Sequence, residues 1–232
     1  MQACGDCHLL NFGGFATPER SIIFDINDFD ETSPAPWEWD VKRLVASIVL
    51  AARSNGLSDS QGRDCAVSCA RRYREHMHEF SKMSPLQVWY AETSVNDFIQ
   101  SLPKAMQNNV KKRIEKTAAH SGSEYDFPKL ASTIGGQIRI TDQPPLIKPL
   151  VETFNAEMLH VYGMACGWVL ARAHAKASAL AATISGYLGT SSDQFDVAMG
   201  KFALAYADQA ERDHATLKAA VRNGKIVASY ES

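Results

Sequence analysis

Gly5-Asp6-Cys7-His8-Leu9-Leu10-Asn11-Phe12-Gly13-Gly14-Phe15, with Ile22-Ile23-Phe24-Asp25-Ile26-Asn27-Asp28-Phe29-Asp30-Glu31 just after it, is the stretch on which the fold turns. Residues 10–15 and 21–26 read as two short strands joined by the turn-forming 16–20, a β-hairpin. Acidic residues crowd around it. Residues 1–40 carry eight Asp or Glu against one Arg, a net of −7, whereas 41–120 net +6 and 121–232 net −1. Disordered acidic tails lack aromatics, and this segment is rich in Ile, Phe and Trp. Carboxylates set among buried-type residues repel unless cations or basic groups compensate them, so chemistry is sought here first.

Outward from the hairpin the pattern is helical. Pro34 and Pro36 precede a helix over 37–53, whose Val41, Leu44, Val45, Ile48, Val49 and Ala52 fall on one face, with Gly56 as its stop. Ser58 with Gln61 is a capping box opening a helix to residue 80, its core face Val67, Ala70, Tyr73, Met77 and Phe80. Shorter helices are expected at 85–91 and 95–102, and a basic one at 104–119. Residues 121–150, with Pro128, Pro144, Pro145 and Pro149, read as loop with one strand at 137–141. Two long helices, 151–182 and 192–223, close the chain, the second ended by Gly224. The fold class is therefore α+β, mostly helical, one domain over 1–232 with parts at 1–56, 57–150 and 151–232.

The composition agrees. The 232 residues are 45% hydrophobic and 22% charged, the ordinary balance of a globular domain. Mean hydropathy is −0.22, and no run of 18 apolar residues suggests a membrane span. No basic-then-apolar leader opens the chain, so a cytoplasmic location with its five cysteines reduced is expected. The net charge of −2 exerts no pull on nucleic acid, and the basic run Lys111, Lys112, Arg113, Lys116 has no aromatics interleaved.

Phosphoryl transfer needs a carboxylate to orient or deprotonate the attacking hydroxyl, and an Asn with another Asp to hold the cations that bridge the phosphates. Protein kinases place the Asn five residues after the first Asp and the metal-binding Asp at the end of the next strand. Here Asn11 follows Asp6 by five; Asp25 and Asp28 follow it by nineteen and twenty-two. Gly-Asp-x-His-x-x-Asn is also the form of the aminoglycoside and choline phosphotransferases, which keep a bracing Asp on the next helix, as Asp40 stands here.

Other interpretations carry less. Cys4-Gly5-Asp6-Cys7-His8 matches the c-type haem attachment signature, which requires export. Cys4 and Cys7 with Cys65 and Cys69 would offer zinc four thiolates, but a spacing of four inside a helix better fits buried cysteines. A solvated turn would account for Asp28, Asp30 and Glu31, less well for Asp25 inside an apolar run. Trp37 and Trp39 read as core and staple residues, and His174 lies on a small-residue face with Gly163, Gly167 and Ala171 suited to close helix packing, with a structural polar contact as the alternative.

GDCHLLNFGGF, IIFDINDFDETSPAPWEWDVKRLVASIVLAAR, GWVLARAHA, ISGYLG and FALAYADQAERDHATL make the chain similar, over nearly its whole length, to the bacterial family termed domain of unknown function 2252. The resemblance implies the catalytic half of a kinase-like, ATP-dependent phosphotransferase acting on an unknown small molecule or protein. Asp6 would be the base, Asn11 with Asp28 (or Asp25) would hold Mg²⁺, His8 would support the loop, and Asp40 would brace it. Family members carry a longer stretch before the motif and a middle section resembling a nucleotide lobe. Here Met1-Gln2-Ala3-Cys4 precede the motif, and Gly135-Gly136-Gln137 is the nearest approach to a phosphate-cradling loop. A missing nucleotide lobe is thus expected, with slow ATP turnover. The alternative is a silent helical remnant that binds a metal or a partner. Under either interpretation, loss of the lobe is expected to leave apolar surface near Cys4, Phe15, Phe24 and Ile26 exposed or hidden by self-association.

Overall fold

The computed structural model describes residues 1–16, 22–91, 150–178 and 180–226, with short pieces at 99–100, 104, 107–108, 111–112, 131–134 and 137–140. The hairpin forms as β2 (Phe12–Ala16) against β3 (Ile22–Ile26), antiparallel, with Phe12 opposite Ile26 and Gly14 opposite Phe24. Leu9–Asn11, partly expected as strand, is instead one 3₁₀ turn, capped by the His8 side chain accepting from Leu10 N. Two-residue strands β1 (Gln2–Ala3) and β4 (Ser33–Pro34) pair beside it.

Helix α1 spans Trp37–Ser54, and all six residues expected on its core face are buried. Gly56 follows with φ of 75°. Helix α2 (Asp59–Phe80) opens with the Ser58/Gln61 capping box. Its buried face holds Cys65, Ala66, Cys69, Ala70, Tyr73, Met77 and Phe80, while the expected core residue Val67 is only half-buried. Helix α3 covers Pro85–Tyr90. Of the expected helices at 95–102 and 104–119, residues 99–100, 104, 107–108 and 111–112 are helical, and the rest lie outside the described residues. The strand expected at 137–141 is β6 (Gln137–Ile140), and it has an unanticipated partner, β5 (Ala131–Ile134). The Gly135-Gly136 pair and Pro144-Pro145 lie outside the described residues.

The long helix expected at 151–182 is three pieces: a 3₁₀ turn at Val151–Thr153, α4 (Ala156–Ala177) and α5 (Ala181–Leu188). Asn155 caps α4, its side chain accepting from Met158 N. At the other end Ser178 is extended and its hydroxyl donates to His174 O, satisfying a last-turn carbonyl without glycine. Helix α6 (Gln194–Arg222) ends before Gly224, φ 68°.

Helix α2 is the hub, packed on α1, α4, α5 and α6. A Cβ at Gly167 would overlap the Cys69 carbonyl oxygen, so α4 and α2 touch backbone to backbone, and Gly163 lies against Ile48 and Cys69. Of the apolar surface expected to be exposed near Cys4, Phe15, Phe24 and Ile26, three residues are covered instead, Cys4, Phe24 and Ile26 at no more than 6% exposed, and Phe15 is half-buried. Phe24 packs between Phe12 and Tyr162 (centroids 6.3 and 5.6 Å), so α4 rather than a further lobe buries the hairpin. Trp37 stacks on Tyr73 at 5.7 Å, but Trp39, expected in the core, is 62% exposed. Among the described residues no helix is long and apolar enough to cross a membrane.

Candidate functional site

The Gly5–Asn11 loop is held from four sides. Asp40, one turn into α1, accepts from Cys4 N (2.7 Å) and Gly5 N (3.3 Å) through its two carboxylate oxygens. The N-cap of α1 itself is Pro36, with no side-chain capping bond. Ser47, two turns on, accepts from Leu9 N (3.0 Å). The Tyr162 hydroxyl of α4 lies 3.1 Å from both Leu9 O and Phe12 O and donates between them. Within the loop, Asn11 Nδ2 donates to Asp6 O (2.8 Å). Gly5 turns the chain with φ of 88°, and a Cβ there would overlap the Glu31 carbonyl.

The brace itself runs into the core. Asp40 Oδ2 meets His174 Nε2 at 3.0 Å, and His174 Nδ1 meets the Tyr73 hydroxyl at 2.8 Å. Burial alone would push the His174 pKa down, but the Asp40 carboxylate and the Cys4 sulfur raise it above its usual value. Burial likewise opposes ionisation of Asp40, yet His174 and the Cys4 and Gly5 N–H groups hold its carboxyl below the ordinary range. Both shifts favour the charged form of each partner, and burial drives the Tyr73 hydroxyl well above its usual value. Cys4 Sγ joins this pair: Cys4, Asp40 and His174 present ligand-type atoms within 4.8 Å of one another. The zinc set of Cys4, Cys7, Cys65 and Cys69 does not converge; all four thiols are buried, as buried cysteines were expected to be.

Asp6 is one-third exposed and lines a cleft of about 470 Å³ with Gly5, Glu31, Trp39, Lys42, Arg43, Phe202 and Tyr206. Arg43 grips Asp6 Oδ1 through Nε (2.9 Å) and Nη2 (2.6 Å), while His8 Nε2 lies 3.3 Å from Oδ2. Because His8 Nδ1 accepts from Leu10 N, its proton sits on Nε2 and faces Asp6. The hairpin register returns the chain so that Asn27 N donates to Asn11 O at 2.9 Å, which sets Asn11 next to the segment carrying Asp28. Asp28 is exposed and accepts from Asp30 N (3.0 Å). Asp25 faces elsewhere: its carboxylate takes Arg172 Nη1 of α4 at 2.7 Å.

Arg43, Arg172, Tyr73, Ser47 and Tyr162 are absent from the motif-based set. Arg43, Ser47 and Tyr162 act on the Gly5–Phe12 segment and Arg172 on Asp25, each from another element, while Tyr73 acts through His174. Only Arg43 has a sequence signal, lying one helical turn from Asp40. Asp196 of α6, fully buried on Arg74 Nε and Nη2 (2.9 and 2.8 Å), is a second unforeseen pair, joining α6 to α2.

A family model described as an uncharacterized protein conserved in bacteria, domain of unknown function 2252, matches residues 1–158 and 148–220, and the chain belongs to that family. No curated protein and no solved structure matches it.

Proposed function

We propose that the protein catalyses phosphoryl transfer from a nucleoside triphosphate to a hydroxyl acceptor, in the manner of the kinase-like phosphotransferases its loop resembles. The observation that carries this is the Asp40 brace: one carboxylate fixes the two N–H groups at the head of the Gly5–Asn11 loop and so sets where Asp6 projects. Phosphoryl transfer is mostly positioning and charge stabilisation, so a rigidly held carboxylate at a cleft is the part the chemistry needs. Asp6 orients the acceptor hydroxyl and takes its proton. Asn11 and Asp28 fit a hard cation such as Mg²⁺: the Asn11 amide nitrogen is spent on Asp6 O, leaving its oxygen as donor, and Asp28 is exposed with one carboxylate oxygen in a turn. The cation would neutralise phosphate charge. Asp25, engaged by Arg172, serves the fold.

One observation favours the silent, cation- or partner-binding alternative: both carboxylate oxygens of Asp6 are already engaged, by Arg43 and His8. Calorimetric titration with ATP and Mg²⁺, paired with a phosphate-release assay, separates the two. Catalysis predicts binding at millimolar ATP and a phosphate release that Asp6→Asn abolishes. No binding at that concentration overturns autonomous catalysis.

A further inference from the structure

We propose that Cys4 and Cys7 form a redox-active dithiol that hydrogen peroxide oxidises to a disulfide spanning Gly5 and Asp6. The spacing is Cys-x-x-Cys, both side chains are buried in the same loop, and Cys4 offers its sulfur within 4.8 Å of the Asp40 carboxylate and the His174 imidazole. Cys4 sits beside His174 and Asp40, with the Tyr73 hydroxyl behind the imidazole. Next to a thiol, an imidazole held against a carboxylate, with its charged form favoured, is the setting that makes a thiolate.

The two sulfurs are correspondingly unequal. The neighbouring Cys7 thiol lowers the Cys4 pKa, burial opposes it, and His174 assists, leaving Cys4 at about 7; the neighbouring Cys4 sulfur and burial hold Cys7 well above its usual value. One thiolate nucleophile and one protonated thiol are what disulfide formation requires. The remaining cysteines lack this setting: burial raises Cys65 to about 11 and puts Cys69 and Cys166 higher still, with no cation among the causes. Cys4 keeps 6% of its surface beside the exposed Gly5, and peroxide is little larger than water.

The chemistry balances. The Cys4 thiolate attacks one peroxide oxygen, the O–O bond breaks, and hydroxide leaves to take up the proton Cys4 released, giving water and a sulfenic acid. The Cys7 sulfur then attacks the Cys4 sulfur; the S–S bond forms, the S–O bond breaks, and hydroxide departs as water with the Cys7 proton. Two thiols lose two electrons, and peroxide is reduced to two waters. Drawing the two sulfurs to a bond of about 2.05 Å shifts the intervening Gly5–Asp6 peptide, and with it the Asp6 carboxylate.

The test uses the full reduced chain, exposed to a modest excess of hydrogen peroxide, then alkylated and mapped by mass spectrometry, with circular dichroism confirming the fold. The expected result is a single Cys4–Cys7 disulfide, an intact mass lower by two hydrogens, and reversal by dithiothreitol. Cys7→Ser should arrest at a Cys4 sulfenic acid trapped by dimedone, and Cys4→Ser should leave Cys7 a thiol. Retention of all five thiols in the folded wild type overturns the proposal, as does a disulfide through Cys65, Cys69 or Cys166, whatever the variants do. The outcome does not depend on ATP or on any phosphoryl transfer.

Discussion

Asp40 Oδ2 and His174 Nε2 meet at 3.0 Å across 134 residues of sequence, with 1% of either side chain exposed. This contact ties α1 to α4 and, through the other Asp40 bonds, ties both to the Gly5 loop. Breaking a buried pair by removing one partner leaves the other unpaired, which costs about 3–5 kcal/mol. Asp40→Ala is expected at that level, because Cys4 N, Gly5 N and His174 all lose their acceptor. His174→Ala should cost less, and urea denaturation of both with the double variant should return a coupling of about 1–3 kcal/mol. Strict additivity would show the contact to be inert.

The pair also sets a pH window. His174 is raised above 6.5, so its contribution is complete below pH 6.5 and fades as pH climbs through the folded value. Asp40 is lowered below 3.8, so its contribution is complete above pH 3.8 and fades as pH falls through its folded value. On the alkaline side His174 makes stability fall, while Cys4, lowered from 9.0 to about 7, makes it rise over the same range. Cys4→Ser should therefore unmask a decline that adding His174→Gln removes, with Asp40 and Tyr73 still facing the site. An unchanged alkaline limb in the double variant would place the dependence elsewhere.

Asp6 should separate stability from activity. Its Arg43 pair is half exposed, so Asp6→Ala is expected to cost no more than about 1 kcal/mol. Loss of a general base lowers rate by about 10²–10⁴-fold, so Asp6→Asn should leave the melting curve nearly in place while any phosphoryl transfer falls by that factor. If Asp6 proved structural and Asp40 dispensable, the loop assignment would be wrong.

A divalent cation should stabilise the fold. Ligand held only by the native state adds RT ln(1 + [L]/Kd), about 1.4 kcal/mol at ten times Kd. Mg²⁺ or Mn²⁺ is expected to raise the melting temperature of the wild type, and Asp28→Asn to abolish the rise. Asp25→Asn should keep the rise but start lower, since it weakens the Arg172 pair. A wild-type melting curve indifferent to both metals counts against Asn11 and Asp28 as ligands.

Two helical glycines make a control pair. Gly167→Ala forces a methyl onto the Cys69 carbonyl and should cost about 1–3 kcal/mol, while Gly186 has nothing within 4 Å and Gly186→Ala should gain up to about 1 kcal/mol. Equal effects would mean that α4 and α2 are not in backbone contact.

The amino-acid sequence alone determined what depends on neighbours in the chain. The apolar period of α1, the Ser58/Gln61 box and the hairpin follow from spacing over a few residues, and each is found where that spacing puts it. Local signals failed where a side chain did a glycine's work, as Ser178 does in ending α4. They failed again where neighbours of one type face opposite ways, as Trp37 and Trp39 do. The motif marked Asp6, Asn11, Asp25, Asp28 and Asp40 as chemically unusual, but not their partners. Only the tertiary structure decided that Arg172 takes Asp25, that Arg43 takes Asp6, and that His174 meets Asp40 and Cys4. An ion pair is a fact of distance in space, and helix packing, here α4 seated on α2 through Gly167, brings together residues that no periodicity relates.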